Sequence, residues 1–302
     1  MVATRSQTAA PKLLAANFGR VLPSAGGYFG GDAESIRTNV LLTTLSRLED
    51  ASSDSRYHQL AQANLQRWAA AAAPTPDTAG RCKVVVLPGD WGDVTLAMTK
   101  QYGKTFASLN MANAWCPGGG YVEGMVAQEE NMFRRTDCHF SIERAHMGKD
   151  GLYLPSHTKE LNAEAGTVYL DTARPRVCIR GPEDRKKSDL GYPWLADEEI
   201  FPFYELRAAA KDLRDGSSYD HADTLRRIHA QLETLRAAGV RHAVLSAFGC
   251  GAFCNPAHHV AEAYKEALSS RADQFDVIAF AIFHAGYGPD NHTPFAHTFA
   301  NW

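Results

Sequence analysis

The sequence predicts an α/β protein in which a mixed sheet carries helices on both faces and follows an N-terminal helical extension. Three observations support this fold class. Apolar residues recur at helical spacing from about 33 to 73, and the strand–helix–strand pattern over 83–115 predicts a βαβ unit. Apolar strands then alternate with amphipathic helices further along the chain. We therefore expect a helical extension over 1–78, packed on a core domain over 79–302.

The extension and the first half of the core can be predicted element by element. A polar break at 52–55 divides the helical pattern, and Pro74 and Pro76 end it because proline cannot continue a helix. Next come a short buried strand ended by Pro-Gly, a helix that Gly103 closes, a second strand, and a helix with acidic residues near its start. These four elements are expected at 83–90, 93–103, 105–115 and 124–136.

The second half of the chain predicts four strands and three helices. Strands are expected at 166–171, 176–181 and 275–284, and a further buried strand that runs into a glycine loop is expected over 242–253. The helices are expected at 205–215, 221–239 and 256–268. A polar loop is expected over 183–194. Aromatic residues at near-helical spacing in 291–302 predict a tail that packs back on the sheet.

The composition indicates a globular protein and argues against two kinds of partner. The chain has 302 residues, 45% of them hydrophobic, and a formal net charge of -3. This charge removes the main argument for direct nucleic-acid binding, which needs a basic surface to neutralise phosphates. The short basic clusters Arg134–Arg135 and 185–187 are expected on the solvated surface. No segment approaches the ~20 apolar residues that span a membrane.

The cysteines predict neither a metal site nor a disulfide framework. None of the 6 forms a CxxC pair, so a zinc site is not expected. A chain of this length does not need disulfides, and no secretory signal is visible. We therefore expect reduced thiols, no metal, no cofactor, and a soluble protein of the cytoplasm, or of the nucleus if the source is a eukaryote.

The first candidate site is NMANAWCPGGGYVEGMVAQEEN, residues 110–131. Three consecutive glycines allow positive φ and a close approach of the backbone to a ligand, and their N–H groups can face an anion. A plain turn is the alternative for the glycines alone. Glu129 and Glu130 follow near a predicted helix start, where they could serve as caps that the helix dipole favours. An acid pair also suits glycoside chemistry, which needs a proton donor beside the bond that breaks.

The second candidate site is LSAFGCGAFCNP, residues 245–256. A hydrophobic strand ends there in a loop of small residues that runs into a helix, and backbone donors in this position suit a phosphate. The cysteine between the glycines could be a nucleophile, but no paired base is evident and its small size explains it better. The loop residues are Gly249, Cys250, Gly251, Ala252 and Phe253.

Together these segments resemble the signature of the poly(ADP-ribose) glycohydrolase (PARG) family in its microbial form. That signature is a GGG cradle followed after six to eight residues by QEE, and both elements stand here in this order after a Leu-Asn-x-Ala-Asn strand end. The stretch 244–253 is similar to the family's second phosphate loop. The resemblance spans about 84–300 and implies a macrodomain-like catalytic domain that hydrolyses a glycosidic bond to release ADP-ribose.

The resemblance also implies roles for the acid segment. Glu130 would be the general acid on the ribosyl leaving group, and Glu129 would hold the ribose hydroxyls. Asn113 would contact the same ribose. The glycines that would face the diphosphate and the scissile ribose are Gly118, Gly119 and Gly120.

For the rest of ADP-ribose, the resemblance implies that the loop from Gly249 to Phe253 wraps the diphosphate, with Phe253 packing on the ribose. Gln128 would lie toward the adenine. In macrodomains an Asp after the first core strand binds the adenine amine, and both Asp90 and Asp93 fit this description. The GDVT match favours Asp93, although either acid could instead cap a helix.

The stretch 137–205 departs from the family, because it is longer than expected and would flank the acceptor side of the cleft. The partner could therefore be poly(ADP-ribose) or a protein that carries a single ADP-ribose. A resemblance to macrodomains proposed to act on ADP-ribosyl-arginine favours the second, although a lone acid on such a loop is usually just surface. Acids that could pair with a guanidinium are Asp171, Asp184, Asp189 and Glu198.

Two other functions fit parts of the sequence. A reader macrodomain would bind ADP-ribose without cleaving it, but such a module has no need of the QEE acid pair. A dinucleotide oxidoreductase would use glycine loops, but no GxGxxG opens a βαβ unit with an acid ~20 residues further on. The glycohydrolase is the hypothesis that uses both segments.

Overall fold

The structure is a computed structural model that describes residues 31–48, 55–72, 81–286 and 288–302. Within these residues the helices are α1 (Gly31–Arg47), α2 (Arg56–Ala71), α3 (Trp91–Tyr102), α4 (Gln128–Arg135), α5 (Pro155–Leu161), α6 (His221–Ala237), α7 (Ala257–Ser269) and α8 (His292–Phe299). The strands are β1 (Lys83–Pro88), β2 (Ala107–Met111), β3 (Tyr169–Leu170), β4 (Arg176–Cys178), β5 (Phe201–Ala208), β6 (His242–Leu245) and β7 (Val277–Ile282).

The strands form one mixed sheet, which confirms the predicted fold class. Its order is β1-β7-β6-β2-β5-β3, and β4 pairs with β5 off this path. β1, β7, β6, β2 and β5 run parallel to one another, whereas β3 and β4 run antiparallel to β5. The parallel strands end at one edge of the sheet, so the loops that follow them meet there.

β7 shows how the sheet separates two helical layers. Because successive side chains of a strand point to opposite faces, Ile278 and Phe280 pack in the cluster that contains α7 and α8. Val277 and Ala279 pack in the cluster that contains α3. The ring of Phe280 lies 5.2 Å from that of Phe295 in α8. The predicted tail therefore packs back on the sheet through an apolar face.

The two helices of the extension pack on the core. Leu41 and Leu45 of α1 and Trp68 of α2 are buried in one cluster with side chains of α3 and α4. The side chain of Asn64 donates hydrogen bonds to the main chain just before β5, at 2.7 and 2.9 Å. The predicted helix ends at 74 and 76, the break at 52–54 and the boundary at 78 lie outside the described residues, so the division into 1–78 and 79–302 stays a prediction.

Three predictions about local structure were wrong. The Ala-rich segment 205–215 is not a helix, because residues up to Ala208 form β5, which pairs with β2 on one side and with β3 and β4 on the other. Tertiary pairing here overrides a weak helix propensity. β1 is half-buried rather than buried, since it pairs only with β7 at the sheet edge. Arg134 and Arg135 are buried rather than solvated, whereas 185–187 are exposed as expected.

None of the helices in the described ranges is long and apolar enough to cross a membrane.

Candidate functional site

The two predicted loops lie at the same edge of the sheet because the strands before them are neighbours. β2 pairs with β6 in parallel, so the segment after Met111 and the segment after Leu245 leave the sheet on one side. The segment after β2 contains the triple glycine and reaches α4. The segment after β6 contains the second glycine loop and reaches α7.

The acid pair stands at the start of α4, and backbone N–H groups of the preceding loop hold each carboxylate. The N–H of Asn113 donates to Oε2 of Glu129 at 2.8 Å. The N–H of Gly120 donates to Oε1 of Glu130 at 2.9 Å. Because the loop spans from the end of β2 to α4, these two bonds fix the acids against the sheet edge.

Gly119 is the point where the two carboxylates meet. Its φ of 59° lies in the left-handed region that favours glycine. A Cβ added there would overlap Oε1 of Glu130 and would lie 3.1 Å from Oε2 of Glu129. Gly118 has a φ of 71°, and a Cβ on it would lie 2.5 Å from the ring of Tyr121. These glycines therefore make room for the protein's own side chains.

The electrostatic environment favours the neutral form of both acids. Burial, and then the charge of Glu130, raises the pKa of Glu129 well above its usual range. Burial also raises the pKa of Glu130, against the effect of the hydrogen bond from Gly120. Oε1 of Glu129 and Oε2 of Glu130 are buried and have no hydrogen-bond partner among the described residues. Each acid thus keeps one oxygen that no described part of the protein satisfies with a hydrogen bond.

A buried ion pair lies behind Glu129. Glu205 and Arg207 project from the same face of β5, and Nη2 of Arg207 lies 2.9 Å from Oε2 of Glu205. Oε1 of Glu205 also accepts a hydrogen bond from Asn110 of β2 at 2.8 Å, and Arg207 donates to the hydroxyl of Tyr153 at 3.1 Å. The positive charge of Arg207 lowers the pKa of Glu129, although burial outweighs it.

Sequence reasoning missed this pair because it assigned the segment to a helix. In a helix, residues two apart face different directions, so the spacing carried no meaning. The sequence did contain a signal for a strand. The apolar run 200–204 stands directly before Glu205, and Glu205 and Arg207 are two residues apart, which is the spacing of side chains on one face of a strand. Read as a strand, that pattern places both charges on one face.

A second buried network joins α4 to α1 and to the 183–192 loop. Arg134 donates to the hydroxyl of Tyr192 at 3.0 Å, and this hydroxyl donates to Oε2 of Glu183 at 2.6 Å. Arg37 of α1 donates to both oxygens of Glu183, at 2.9 and 3.2 Å. Burial would raise the pKa of Glu183, but the hydrogen bonds from Arg37 and Tyr192 outweigh it and lower the pKa to about 2. The loop predicted only as polar therefore anchors the acid helix.

The second glycine loop is more open. The N–H groups of Gly251, Ala252 and Phe253 donate no hydrogen bond within the described residues. α7 begins four residues later, and no side chain caps its N-terminus. Free N–H groups before a helix start suit an anionic group. Phe253 is half-buried, and the guanidinium of Arg214 lies 5.2 Å from its ring.

Cys250 of this loop is buried in the core that contains α7. Its sulfur faces the carbonyl of Phe248 at 3.7 Å. Burial raises the pKa of the Cys250 thiol far above its usual range, which keeps it protonated and poorly nucleophilic. These contacts favour a packing role.

The two aspartates proposed for the adenine amine differ in their contacts. Asp90 caps α3 through the N–H groups of Gly92 and Asp93, at 2.8 and 3.4 Å, and pairs with buried Arg135. Asp93 is exposed, and its nearest ionic partner is the same Arg135 at 3.7 Å. The carboxylate of Asp93 is therefore the more accessible of the two, and its adenine contact stays a prediction.

Gln128 and the loop acids have contacts of their own. The amide of Gln128 accepts from the N–H of Met111 at 2.9 Å and donates to the carbonyl of Leu109 at 2.8 Å, which fixes α4 to β2. Asp171 pairs with Arg174 and Arg176. The remaining acids proposed for a guanidinium stand on exposed or half-buried loop positions: Asp184, Asp189 and Glu198.

No group of three or more His, Cys, Asp or Glu side chains in the described part of the chain is arranged to hold a metal ion.

Comparison with known proteins points to the segment that contains the triple glycine and the acid pair. Residues 35–168 match the family model described as microbial-type PARG, catalytic domain. This segment, which is less than half of the chain, is similar to the catalytic domain of microbial-type PARG enzymes. This match covers the triple glycine and the acid pair, and it confirms both the predicted resemblance and the prediction of a glycosidase-type hydrolase. A comparison with curated proteins finds no match.

Solved PARG structures share the fold. PARG from Thermomonospora curvata is 22% identical, with a TM-score of 0.60 over 87% of this chain and 99% of that chain. The same enzyme bound to the inhibitor ADP-HPD is 21% identical, with a TM-score of 0.58 over 86% and 98%. PARG from Deinococcus radiodurans in complex with ADP-ribose is 19% identical, with a TM-score of 0.51 over 81% and 91%. The PARG-like fold thus extends beyond the matched family segment.

Proposed function

We propose that this protein is an ADP-ribosyl glycohydrolase in which Glu130 is the general acid. The observation that carries this proposal is the meeting of two buried carboxylates at Gly119, each with one oxygen free. An acid whose pKa is raised by burial keeps its proton to a higher pH and is better suited to donate that proton to a departing group. A protein that only bound ADP-ribose would gain nothing from two buried acids whose neutral forms are favoured.

In the proposed reaction, Glu130 donates its proton to the oxygen that leaves C1 of the terminal ribose. Positive charge then develops on the ribose, and water attacks C1 while it gives a proton back to the Glu130 carboxylate, which completes the hydrolysis. Glu129 accepts hydrogen bonds from the ribose hydroxyls through its free oxygen and thereby orients the sugar. Proton transfer of this kind contributes about 10²- to 10⁴-fold to the rate.

The second glycine loop supplies binding energy at a distance from the reacting carbon. The free N–H groups of Gly251, Ala252 and Phe253 face the diphosphate, and the start of α7 adds a favourable dipole. Asp93 binds the adenine amine, and Phe253 packs on the adjacent ribose. Such remote contacts position the scissile bond against the acids.

The acid chemistry favours an oxygen-linked acceptor such as poly(ADP-ribose). An ether oxygen is a poor leaving group until it is protonated, so it needs the neutral acid that burial of Glu130 favours. A glycosylated guanidinium already carries its positive charge and leaves without that proton. Oxygen-linked ADP-ribose is therefore the preferred substrate class.

A protein carrying ADP-ribosyl-arginine is the second candidate, and Glu123 is the observation that favours it. The negative charge of Glu123 contributes to the raised pKa of Glu130, and its Oε2 would lie 3.7 Å from a Cβ on Gly120. A third carboxylate so close to the acid pair suits a cationic acceptor.

Glu130→Gln tests the proposal. The variant is expected to bind ADP-ribose within about threefold of the wild type, because its shape is kept, and to lose about 10²-fold or more of the turnover. Calorimetry with ADP-ribose and a hydrolysis panel measure the two effects. The panel contains poly(ADP-ribose) and proteins mono-ADP-ribosylated on arginine, serine, threonine or glutamate. Glu262→Gln, on the exposed side of α7, is the matched control.

The outcomes separate the hypotheses. Wild-type activity in Glu130→Gln would remove Glu130 from the mechanism. Tight binding by the wild type without release from any substrate would make the protein a reader. Release from arginine alone, abolished by Glu123→Gln, would replace the oxygen-linked substrate by the cationic one.

A further inference from the structure

Three large exposed apolar side chains lie on or beside the loop 112–127 between β2 and α4, which we call the acid loop. Among the described residues, Trp115 is 63% exposed, Met125 46% and Leu152 40%, and the fourth such side chain, Phe283 at 51%, follows β7 instead. Trp115 precedes the triple glycine, and Met125 lies against Gly120, where an added Cβ would be 2.5 Å from its Cγ. Exposed apolar groups gathered at one place mark binding surfaces, whereas scattered ones need no explanation.

The main chain of Trp115 is fixed at both ends although its side chain is exposed. Its N–H donates to Oδ1 of Asn113 at 2.9 Å, and its carbonyl accepts from the N–H of Tyr153 at 2.8 Å. The second bond places Leu152 next to Trp115. The indole is thus an exposed aromatic surface on a rigid support, which lowers the entropic cost of binding a ring.

The sheet order places this surface on the acceptor side of the acids. The candidate diphosphate loop follows β6, on one side of β2. Tyr153, which holds the carbonyl of Trp115, accepts a hydrogen bond from Arg207 of β5, on the other side of β2. Glu129 lies between them, bonded to the N–H of Asn113. With the diphosphate in the second glycine loop, as proposed above, the group that leaves the ribose therefore lies on the Trp115 side of Glu129.

We propose that Trp115, flanked by Leu152, stacks on the adenine of the leaving group when the substrate is poly(ADP-ribose). This inference rests on the proposed function. It adds the residue that contacts the leaving group, which the proposed function did not name. In that polymer the leaving oxygen belongs to the ribose of the next adenosine, so an adenine stands one sugar away from the scissile bond. Base–aromatic stacking contributes about 1–3 kcal/mol, which corresponds to roughly 5- to 150-fold in affinity.

Kinetics on two substrates tests the stacking. Trp115→Ala is expected to lower kcat/KM on poly(ADP-ribose) roughly 5- to 150-fold, mainly through KM. It should leave hydrolysis of a mono-ADP-ribosyl-serine peptide and the Kd for ADP-ribose unchanged, because neither carries the second adenine. Trp115→Phe should restore most of the loss, since an aromatic face remains. Equal losses on both substrates would show a structural role and overturn the proposal, as would no loss on either.

Binding without turnover separates this proposal from the proposed function. In the Glu130→Gln background, a dimer of ADP-ribose is expected to bind roughly 5- to 150-fold more tightly than ADP-ribose itself, and adding Trp115→Ala should remove the difference. Calorimetry measures both. Equal affinities for dimer and monomer would end the stacking proposal even if the protein is a glycohydrolase. A tighter dimer that the wild type never cleaves would instead end the glycohydrolase and keep the stacking.

Discussion

The two glycine-rich loops at the sheet edge differ in what their glycines make room for. A Cβ on Gly119 would overlap Oε1 of Glu130, and that on Gly118 would meet an aromatic ring. A Cβ on Gly251 would meet no atom of the described residues within 4 Å. In the first loop the protein's own carboxylates occupy the space beside the glycines, whereas in the second the N–H groups of Gly251, Ala252 and Phe253 donate no hydrogen bond to any residue that the structure describes.

Two segments with similar glycine-rich sequences therefore have different roles: the glycines of the first make room for carboxylates, and the second presents backbone N–H groups. The buried hydrogen bonds of the Glu183 and Glu205 networks support the acid loop on its core side. The geometry of this loop is therefore fixed before a ligand binds. The second loop rests on Asn255, whose amide donates to the carbonyl of Gly249 at 3.1 Å, and its outer residues are exposed. We therefore expect changes in the first loop to affect turnover and changes in the second to affect binding.

The largest expected difference is between Gly119→Ala and Gly251→Ala. The first change places a methyl group where the carboxylates meet, at a φ that alanine rarely adopts. Displacing the acids by about 1 Å costs about 10²-fold in turnover. The second change should alter turnover by less than about threefold and act on KM. Steady-state kinetics, with melting curves to check folding, measure both variants. Similar losses in turnover would contradict the contrast between the loops.

Glu183→Gln tests the support behind the acid loop. Replacing one member of this buried pair leaves Arg37 without its counter-charge, and such changes cost about 3–5 kcal/mol. The matched control is Asp212→Asn, which breaks the exposed pair with Arg214 beside the second loop and should cost less than about 1 kcal/mol. Urea unfolding at pH 7 measures both. Equal costs would show that Glu183 is no more important than a surface residue.

The pH dependence of this effect has a definite sign. The pKa of Glu183 is lowered to about 2 in the folded protein, below its value of about 4.3 in an unfolded chain. The charged form is therefore favoured by folding, and its stabilisation is present above about pH 4.3 and is lost as the pH falls toward 2. The difference between wild type and Glu183→Gln should shrink over that range.

Glu130→Gln is expected to have a smaller and opposite effect on stability. Burial raises the pKa of Glu130, so folding favours the neutral form. Stability from this group is complete below its unfolded pKa and is lost as the pH rises through the folded pKa. The variant, which carries no charge, should melt a few degrees above the wild type at pH 8 and close to it at pH 4. A lower melting temperature at pH 8 would mean that the carboxylate is stabilised as an anion.

The sequence predicted best those elements that depend only on residues close together in the chain. The Gly103 turn that ends α3, the apolar strand β7 and the aromatic face of α8 follow from propensity and periodicity, and each was predicted. The glycine and acid segments could also be picked out as candidates, because glycine permits unusual backbone conformations and carboxyl groups can transfer protons, and their roles in binding and catalysis stay predictions.

The buried ionic networks could not be predicted in the same way. In the sequence Arg134 and Arg135 resemble surface residues. Only the tertiary structure shows that Arg134 contacts Tyr192 and that Arg135 pairs with Asp90. Glu183 pairs with a residue 146 positions away in the chain. Such long-range pairs depend on how segments meet, and a single sequence contains no record of that.

Cys250→Ala should have the smallest effect. It tests whether the cysteine of the second loop, which the sequence offers as a possible nucleophile, takes part in the chemistry. The thiol is buried, and burial raises its pKa far above the usual range, so it stays protonated and cannot serve as a nucleophile. Removing it leaves a small cavity that costs about 1 kcal/mol. Turnover should stay within about twofold of the wild type, with Cys254→Ala as the exposed control. A loss of turnover at unchanged stability would place the chemistry in the second loop and reverse the assignment of the two loops.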